Sequence, residues 1–389
     1  VAHDLERLSD EFAARFARPP TLAARAPGRV NLIGEHTDYN GGLVLPLAID
    51  RDTLALGAPR SDRRLRVFSR ELAAEADLDA DSPKRTGAWS DYVAGVVFAF
   101  AEAGHRVPGL DLALASRVPG GAGLSSSAAL ELAVVTLVAG IVAPELAALA
   151  RARLAHRAES GFVGVACGMM DQLASALGRE GFALRIDCTS LAIDPIAIPP
   201  GVALLVVDSG VRHALSGGEY NLRRRECEAA LAAARDAGLA SPDAATLRAL
   251  DAGALPGLER ALDPLLFRRA RHVITENLRV DAVCRAFARG DLPAAGAALH
   301  EGQRSLRDDF EVSTPELELL CDLAARESGV HGARLTGAGF GGCTVQLVDA
   351  ARLDAVRDAI VEGFARRYGR RPRAWDVRPG RGAESISLG

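Results

Sequence analysis

The stretch Pro119-Gly-Gly-Ala-Gly-Leu-Ser-Ser-Ser-Ala-Ala129 constrains this chain more than any other. Before it, Leu110, Leu112 and Leu114 alternate as on one face of a strand. After it, near Ser126, an apolar helix opens with Leu130, Val134, Leu137 and Val138 at helical spacing. Glycines let a backbone turn tightly and approach a ligand, and the N–H groups of a first helical turn have no partner within the helix. Three hydroxyls beside those donors, at the positive end of a helix, make an anion cradle suited to a polyphosphate. The candidate contacts are Gly120, Gly121, Ala122, Gly123, Leu124, Ser125, Ser126, Ser127 and Ala128. A serine N-cap after a flexible loop is the simpler reading. A cap needs only one serine, however, and this density of glycine and serine favours phosphate. No lysine follows the glycines, so this is not a Walker loop.

Length and composition narrow the class. At 389 residues the chain is long enough for two domains with substantial cores. A net charge of −4 and a pI near 6.1 give no basic field for nucleic acid or an anionic membrane. Aromatic residues are few at 5% against abundant alanine and leucine, which points to a helix-rich soluble protein. The six cysteines (Cys167, Cys188, Cys227, Cys284, Cys321 and Cys343) form no C-x-x-C pair and no zinc-ribbon spacing. They fit free thiols in a reducing compartment. The charged start, Val1-Ala-His-Asp-Leu-Glu-Arg7, has no signal-peptide character. The longest apolar run, Leu132 to Pro144, falls short of the ~18–20 residues that span a bilayer. A cytoplasmic protein, monomeric or a small homo-oligomer, is the expectation.

An amphipathic helix over Asp4–Phe16 places Leu5, Leu8, Phe12 and Phe16 on one side and stops at Pro19-Pro20. A strand-like segment from Ala24 then runs into a polar turn, Gly28-Arg-Val-Asn-Leu-Ile-Gly-Glu-His-Thr-Asp-Tyr-Asn40. It carries Arg29, Asn31, Glu35, His36, Asp38 and Asn40. A solvated loop would also be polar. Here the polar groups interrupt Val30 and Leu32-Ile33 instead of clustering. Carboxylates, an imidazole and a guanidinium converging at a turn match sugar hydroxyls, each of which is both donor and acceptor. A metal site from Glu35, His36 and Asp38 is less favoured, because adjacent residues on an extended chain point to opposite sides.

Farther along, Leu43–Ala58 and Leu65–Arg70 read as strands, and Ser90 as the cap of a helix following Trp89. Pro144–Ser160 reads as a helix bearing His156 and Glu159. In Cys167-Gly-Met-Met-Asp-Gln-Leu-Ala-Ser-Ala-Leu177, Asp171 has an apolar helical setting and needs a cation or hydrogen-bonding ligand unless it faces water. Phe182–Asp187 and Val202–Asp208 read as strands around a Pro195–Gly201 turn. A domain boundary falls loosely here, giving 1–200 and 201–389, with the last segment free to pack back on the first domain. Ser216–Cys227 leads a long helix in which Arg223-Arg-Arg225 is a solvated or structural face. Ser241–Phe310 is helical, alanine-rich and offers little chemistry. Pro315 opens another helix. Gly337, Gly339 and Gly342 fit G-x-G-x-x-G, but Cys343–Val348 alternates as a strand where a dinucleotide fold needs a helix. A helix over Leu353–Tyr368 and a strand over Ala374–Val377 end the chain.

The run Gly28–Tyr39 resembles the galactokinase signature. Pro119–Ala129 is similar to the phosphate motif of the wider superfamily of galacto-, homoserine, mevalonate and phosphomevalonate kinases, and Leu335–Val348 resembles its glycine-rich third motif. The resemblance implies an α+β, two-domain sugar kinase with its active site in the interdomain cleft, converting ATP and galactose to ADP and galactose 1-phosphate with Mg²⁺. It implies Asp171 beside the reacting hydroxyl, orienting first and accepting a proton second, with Arg29 as its charge partner. Glu35, His36, Asp38, Gly168, Asp171 and Tyr220 would surround the sugar. Gly120–Ala128 would hold ATP, with Trp89 (otherwise a core residue) near the adenine, and Ser127 and Glu159 would hold the metal. The same motifs leave room for a kinase of N-acetylgalactosamine, arabinose or a uronic acid, and for a galactose sensor without turnover. Relatives that only sense have lost residues after the serines, whereas Ser127-Ala128-Ala129 is intact.

Overall fold

A computed structural model describes residues 2–212 and 218–388, so Ser216 and Gly217 of the Ser216–Cys227 reading lie outside the described residues. Helix α1 (Ala2–Phe16) is followed by β1 (Leu22–Asn31), β2 (Leu43–Val44), β3 (Pro46–Arg60), β4 (Arg64–Ser69), β5 (Ala74–Asp79), α2 (Asp91–Glu102) and β6 (Gly109–Ser116). The helical run α3 (Ser126–Val142), α4 (Ala148–Arg157), a π-turn (Ala158–Val163) and α5 (Met170–Leu177) comes next. Then come β7 (Phe182–Asp187), β8 (Ile193–Ala197), β9 (Val202–Asp208), α6 (Gly218–Asp236), α7 (Leu255–Ala261), α8 (Pro264–Arg289), α9 (Leu292–Asp308) and α10 (Pro315–Ala325). The chain closes with β10 (Val330–Thr336), β11 (Cys343–Asp349), α11 (Leu353–Tyr368), β12 (Arg373–Val377) and β13 (Glu384–Ile386).

Six strands form one sheet in the order β13-β1-β3-β6-β4-β5, antiparallel except for β4 beside β6. The side-chain alternation of a strand explains why β6 is buried along nearly its whole length. Leu110, Leu112 and Leu114 face a core shared with α2 and α3, while Ala113 and Ala115 face Leu8 and Phe12 of α1. Helix α3 is mostly apolar because most of it is buried, Glu131 and Thr136 included. Its Leu132, Val134, Val135, Leu137 and Val138 are each at most 2% exposed, and full burial of such a side chain contributes roughly 1.5–3 kcal/mol. A second sheet, β10-β11-β9-β12, carries α10 and α11 on one side. Its other side meets Val30, Leu32 and Ile33 of the β1 region together with α8 and α9 in a second core. The polar turn after β1 is therefore built on both sheets' packing.

Several expectations need correction. The Pro195–Gly201 turn begins later, because Ile193–Ala197 is β8, paired antiparallel with β7. Strand β5 was missed, and it has an edge strand's charged alternation in place of an apolar signal. The helix at Pro144–Ser160 starts at Ala148 and changes to a π-turn at Ala158. Ser90 does not cap α2 through its side chain, since its own backbone is helical. The Asp91 carboxylate instead reaches back to the Thr86 and Gly87 N–H groups at 3.0 and 2.7 Å.

Helix α9 lies so close to β10 that a Cβ built on Gly296 would overlap the His331 carbonyl oxygen. Helix propensity alone favours alanine there by roughly 1 kcal/mol. Overpacking of about 1–3 kcal/mol works against it, so Gly296→Ala is expected to lower the thermal midpoint. A raised midpoint in a thermal melt would show that the α9–β10 contact is looser than described.

Candidate active site

The phosphate motif is fixed to β1 by a defect in that strand. The β1–β3 register shifts between Pro27 and Arg29, and a Cβ on Gly28 would sit 2.6 Å from the Leu124 carbonyl oxygen. The bare Gly28 lets the loop lie against the strand, where Arg29 N–H donates to Leu124 O at 3.1 Å. Gly121, Gly123 and Ser125 adopt positive φ (66°, 76° and 57°), turning the chain into α3. The third motif presses on the loop from the other side. Cβ atoms on Gly337 and Gly342 would come within 3.2 and 3.3 Å of the Gly123 and Ala122 carbonyl oxygens. Its glycines join β10 to β11, antiparallel neighbours, which excludes a dinucleotide fold.

Arg29 and Asp171 meet at this loop. Arg29 Nε and Nη2 lie 2.8 and 2.7 Å from Asp171 Oδ1, and Nη1 donates to Gly123 O at 2.6 Å. Ser125 Oγ donates to Asp171 Oδ2 at 2.5 Å. The sequence suggested an apolar setting for Asp171, but its side chain is 28% exposed at the first turn of α5, with Arg29 buried behind it. Asp38 lies close by, its carboxyl pushed up to about 6 by burial and by the charge of Asp171. A Cβ on Gly168 would overlap Asp38 Oδ2, which accounts for glycine there.

The rest of the polar turn splits into two groups. His36, at φ 64°, stacks its ring 5.5 Å from Tyr220 and 4.7 Å from Phe310. Its Nε2 lies 3.0 Å from Ala338 O and its Nδ1 2.9 Å from Tyr39 Oη. A carbonyl can only accept, so Nε2 carries the proton and Tyr39 donates to Nδ1. Glu35 turns away into the interior, where Arg334 Nη2 donates to its Oε2 at 2.6 Å and its Oε1 has no partner. Burial pushes Glu35 up to about 7 against the pull of Arg334. Glu35, His36 and Asp38 thus diverge, and the metal reading of that trio fails.

Glu159, in the π-turn, is 6% exposed, accepts from Gln172 Nε2 at 2.6 Å and is stabilised in its charged form by the Ser127 hydroxyl. Burial, then Asp171, push it up to about 7. Sequence reasoning missed Glu131, fully buried on α3 with both carboxyl oxygens unpartnered. Its spacing of four from Ser127 was the available signal, since i and i+4 share a helix face. It also missed the buried polar face of α8, where His272, Glu276 and Asn277 hydrogen-bond the backbone of the turn from Gly34 to Leu43. Trp89 packs half-buried against the first core. Among the described residues its side chain makes no hydrogen bond to the other candidates. The Arg223-Arg-Arg225 run is structural at Arg223, which donates to Phe310 O and Glu311 O at 2.6 and 3.1 Å. A separate cleft of about 780 Å³ between α1 and β4–β5 is lined by no motif residue.

Burial of His36 has a pH signature. Its folded value is lowered from 6.5 to about 4 by desolvation, so below pH 6.5 the unfolded chain takes up a proton that the folded chain refuses. Stability therefore falls on acidification by about 1.4 kcal/mol per unit between those values. His36→Asn, which tolerates the left-handed backbone, lacks this loss. Its stability deficit relative to wild type is expected to narrow by about 2 kcal/mol from pH 7.5 to 5, read from paired melts. A deficit that widens would mean that His36 is charged in the folded protein.

Comparison with known proteins places this geometry in a family. The chain matches the galactokinase galactose-binding signature at residues 10–59, the GHMP kinase N-terminal domain at 91–179 and the GHMP kinase C-terminal model at 283–366. It is 46% identical to the galactokinase of Chloroflexus aggregans over 369 residues, covering 94% of each chain. With that of Roseiflexus it is 42% identical, over 94% of this chain and 93% of the relative. The crystal structure of Lactococcus lactis galactokinase complexed with galactose superposes with a TM-score of 0.92 at 32% identity, covering 98% of this chain and all of that one. A mevalonate kinase at 17% identity and a TM-score of 0.65 shares the fold, over 92% of this chain and 98% of its own. With the two-domain α+β architecture, the register defect at Gly28 and three motifs converging on one loop, the chain belongs to the galactokinase family.

Proposed function

We propose that this chain transfers the γ-phosphoryl group of ATP to the C1 hydroxyl of D-galactose, giving galactose 1-phosphate and ADP. The observation that carries the reading is the Arg29–Asp171 pair seated on the phosphate loop through Gly123 O and Ser125 Oγ. Family membership and the galactose bound by the Lactococcus lactis relative support the sugar. His36, Asp38, Gly168, Asp171 and Tyr220 wall the sugar pocket, with Glu35 supporting the turn from the interior, and Gly120–Ala128 carry the nucleotide phosphates, with Trp89 toward the adenine.

Phosphoryl transfer passes through a loose transition state, so positioning and charge stabilisation carry most of the catalysis. Asp171 aligns the C1 hydroxyl and takes its proton as the C1 oxygen bonds to the γ-phosphorus and the bridging P–O bond to ADP breaks. Ser125 holds the second carboxylate oxygen. Arg29 balances the charge of Asp171 and faces the charge spread over the transferring phosphoryl oxygens.

Ser127 and Glu159 fit a divalent cation. Among the described residues Glu159 has hydrogen-bond donors but no basic partner, and Glu131 behind it has neither, so the acids lack a compensating positive charge. Ser127 and Glu159 would hold Mg²⁺, for which one carboxylate and one hydroxyl suffice, and the ion would supply charge neutralisation to the nucleotide phosphates. The six unpaired cysteines support a reducing, cytoplasmic setting. Among the described residues no helix is long and apolar enough to cross a membrane.

An ADP-release assay with Mg-ATP tests the substrate across galactose, glucose, talose, 2-deoxygalactose, N-acetylgalactosamine, arabinose and galacturonate. Galactose is expected to lead by kcat/KM. Another sugar in front would move the substrate, and sugar binding without turnover would indicate a sensor. Asp171→Asn is expected to cut kcat by roughly 10²–10⁴-fold while the KM for ATP stays within a few-fold. Near wild-type kcat in that variant would remove Asp171 from the reaction.

A further inference from the structure

The turn after β1 folds back on itself around Asp38. His36 stands in the left-handed region at φ 64°, and Asp38–Asn40 form a single 3₁₀ turn. That reversal brings the Tyr39 hydroxyl within 2.9 Å of His36 Nδ1, so the two side chains close a small loop of backbone with Asp38 inside it. The other ring nitrogen, Nε2, reaches Ala338 O in the third motif at 3.0 Å. The hydrogen bonds run in one direction, because the carbonyl can only accept: Tyr39 donates to Nδ1, and Nε2–H donates to Ala338. A third ring rests on these two. Tyr220, in the first turn of α6, lies edge-on to Tyr39 at 5.4 Å between centroids and 5.5 Å from His36.

We infer that Tyr39 is a positioning residue for sugar binding: its hydroxyl fixes the His36 ring, and the fixed pair sets Asp38 and Tyr220 toward the sugar. This deepens the proposed galactose reading and rests on it. A buried Nδ1 without its donor is costly, so without the Tyr39 hydroxyl the imidazole gives up its place and the loop around Asp38 opens. Asp38 has little room to adapt, since its carboxylate is fitted against Gly168, where a Cβ would overlap Oδ2. Tyr220 loses the two rings that support it.

The third motif does not share this dependence. Its Phe340 N–H donates to Val312 O at 2.7 Å and its Gly342 N–H to Val211 O at 3.1 Å, so it keeps its place against the phosphate loop without His36. Loss of the Tyr39 hydroxyl therefore falls on the sugar and spares the nucleotide. Tyr39→Phe makes that change alone, keeping the ring and its packing.

The test pairs ¹⁵N NMR of histidine-labelled protein at pH 7.5 with steady-state kinetics. The chain has eight histidines, so the spectrum is sparse, and His36 is identified by its absence from His36→Asn. Wild type should show a protonated Nε2 and an Nδ1 shifted upfield of a free, unprotonated imidazole nitrogen by its hydrogen bond. In Tyr39→Phe that Nδ1 should move back toward the free position. The galactose KM should rise roughly 3- to 30-fold, with kcat and the ATP KM held within about threefold. A wild-type Nδ1 that is protonated or already free would overturn the inference whether or not the variant folds. An unchanged galactose KM in the folded variant would also overturn it. So would equal losses in galactose KM, ATP KM and kcat, which would mark Tyr39 as merely structural. No turnover of galactose by wild type, with the nitrogen spectrum as expected, would instead overturn the functional reading beneath it.

Discussion

The ion pair between Arg29 and Asp171 is the interaction on which the rest of the site depends. Arg29 reaches Asp171 with Nε and Nη2 and the Gly123 carbonyl with Nη1, so one guanidinium joins β1, the phosphate loop and α5. That three-way contact is possible only because the register shift at Gly28 lets the loop settle on the strand. The arrangement costs a partly desolvated arginine, which is compensated because its donors meet a carboxylate and a carbonyl. A lysine would offer a point charge and could not hold both partners in one plane.

Around this pair the two halves of the chain contribute unlike materials. The N-terminal sheet and α3 provide a rigid apolar base, and the loop opens from its edge. The C-terminal half provides glycines that press on the loop's backbone and a buried polar face on α8 that holds the turn after β1 by its backbone. Backbone-to-backbone approach explains why Gly337 and Gly342 carry no side chains. A Cβ at either place would push on Gly123 or Ala122, and through Gly123 on Arg29 itself.

Much of this was legible in the chain before any coordinates. The alternation of Leu110, Leu112 and Leu114, the helix at Ser126 and the strand after the third glycine motif follow from periodicity, and all three stand. The clustering of Arg29, Asp38 and His36 near one turn was visible as polar residues interrupting apolar ones. What was hidden has a physical reason in each case. Strand β5 pairs at an edge and needs no apolar face. Arg334, Glu276 and Glu131 are charged residues buried by tertiary packing, and a helix such as α8 looks like a solvated amphipath until its partner is known. The direction of Glu35 was likewise invisible, because it depends on an arginine 299 positions later.

The most direct test is a double-mutant cycle on single-turnover phosphoryl transfer, using Arg29→Lys, Asp171→Asn and the two together. If the pair acts as one unit, the double variant should be about as slow as the slower single variant, because removing either partner already disables the other. Rate losses that simply multiply would show two residues acting independently and would contradict the account at its centre.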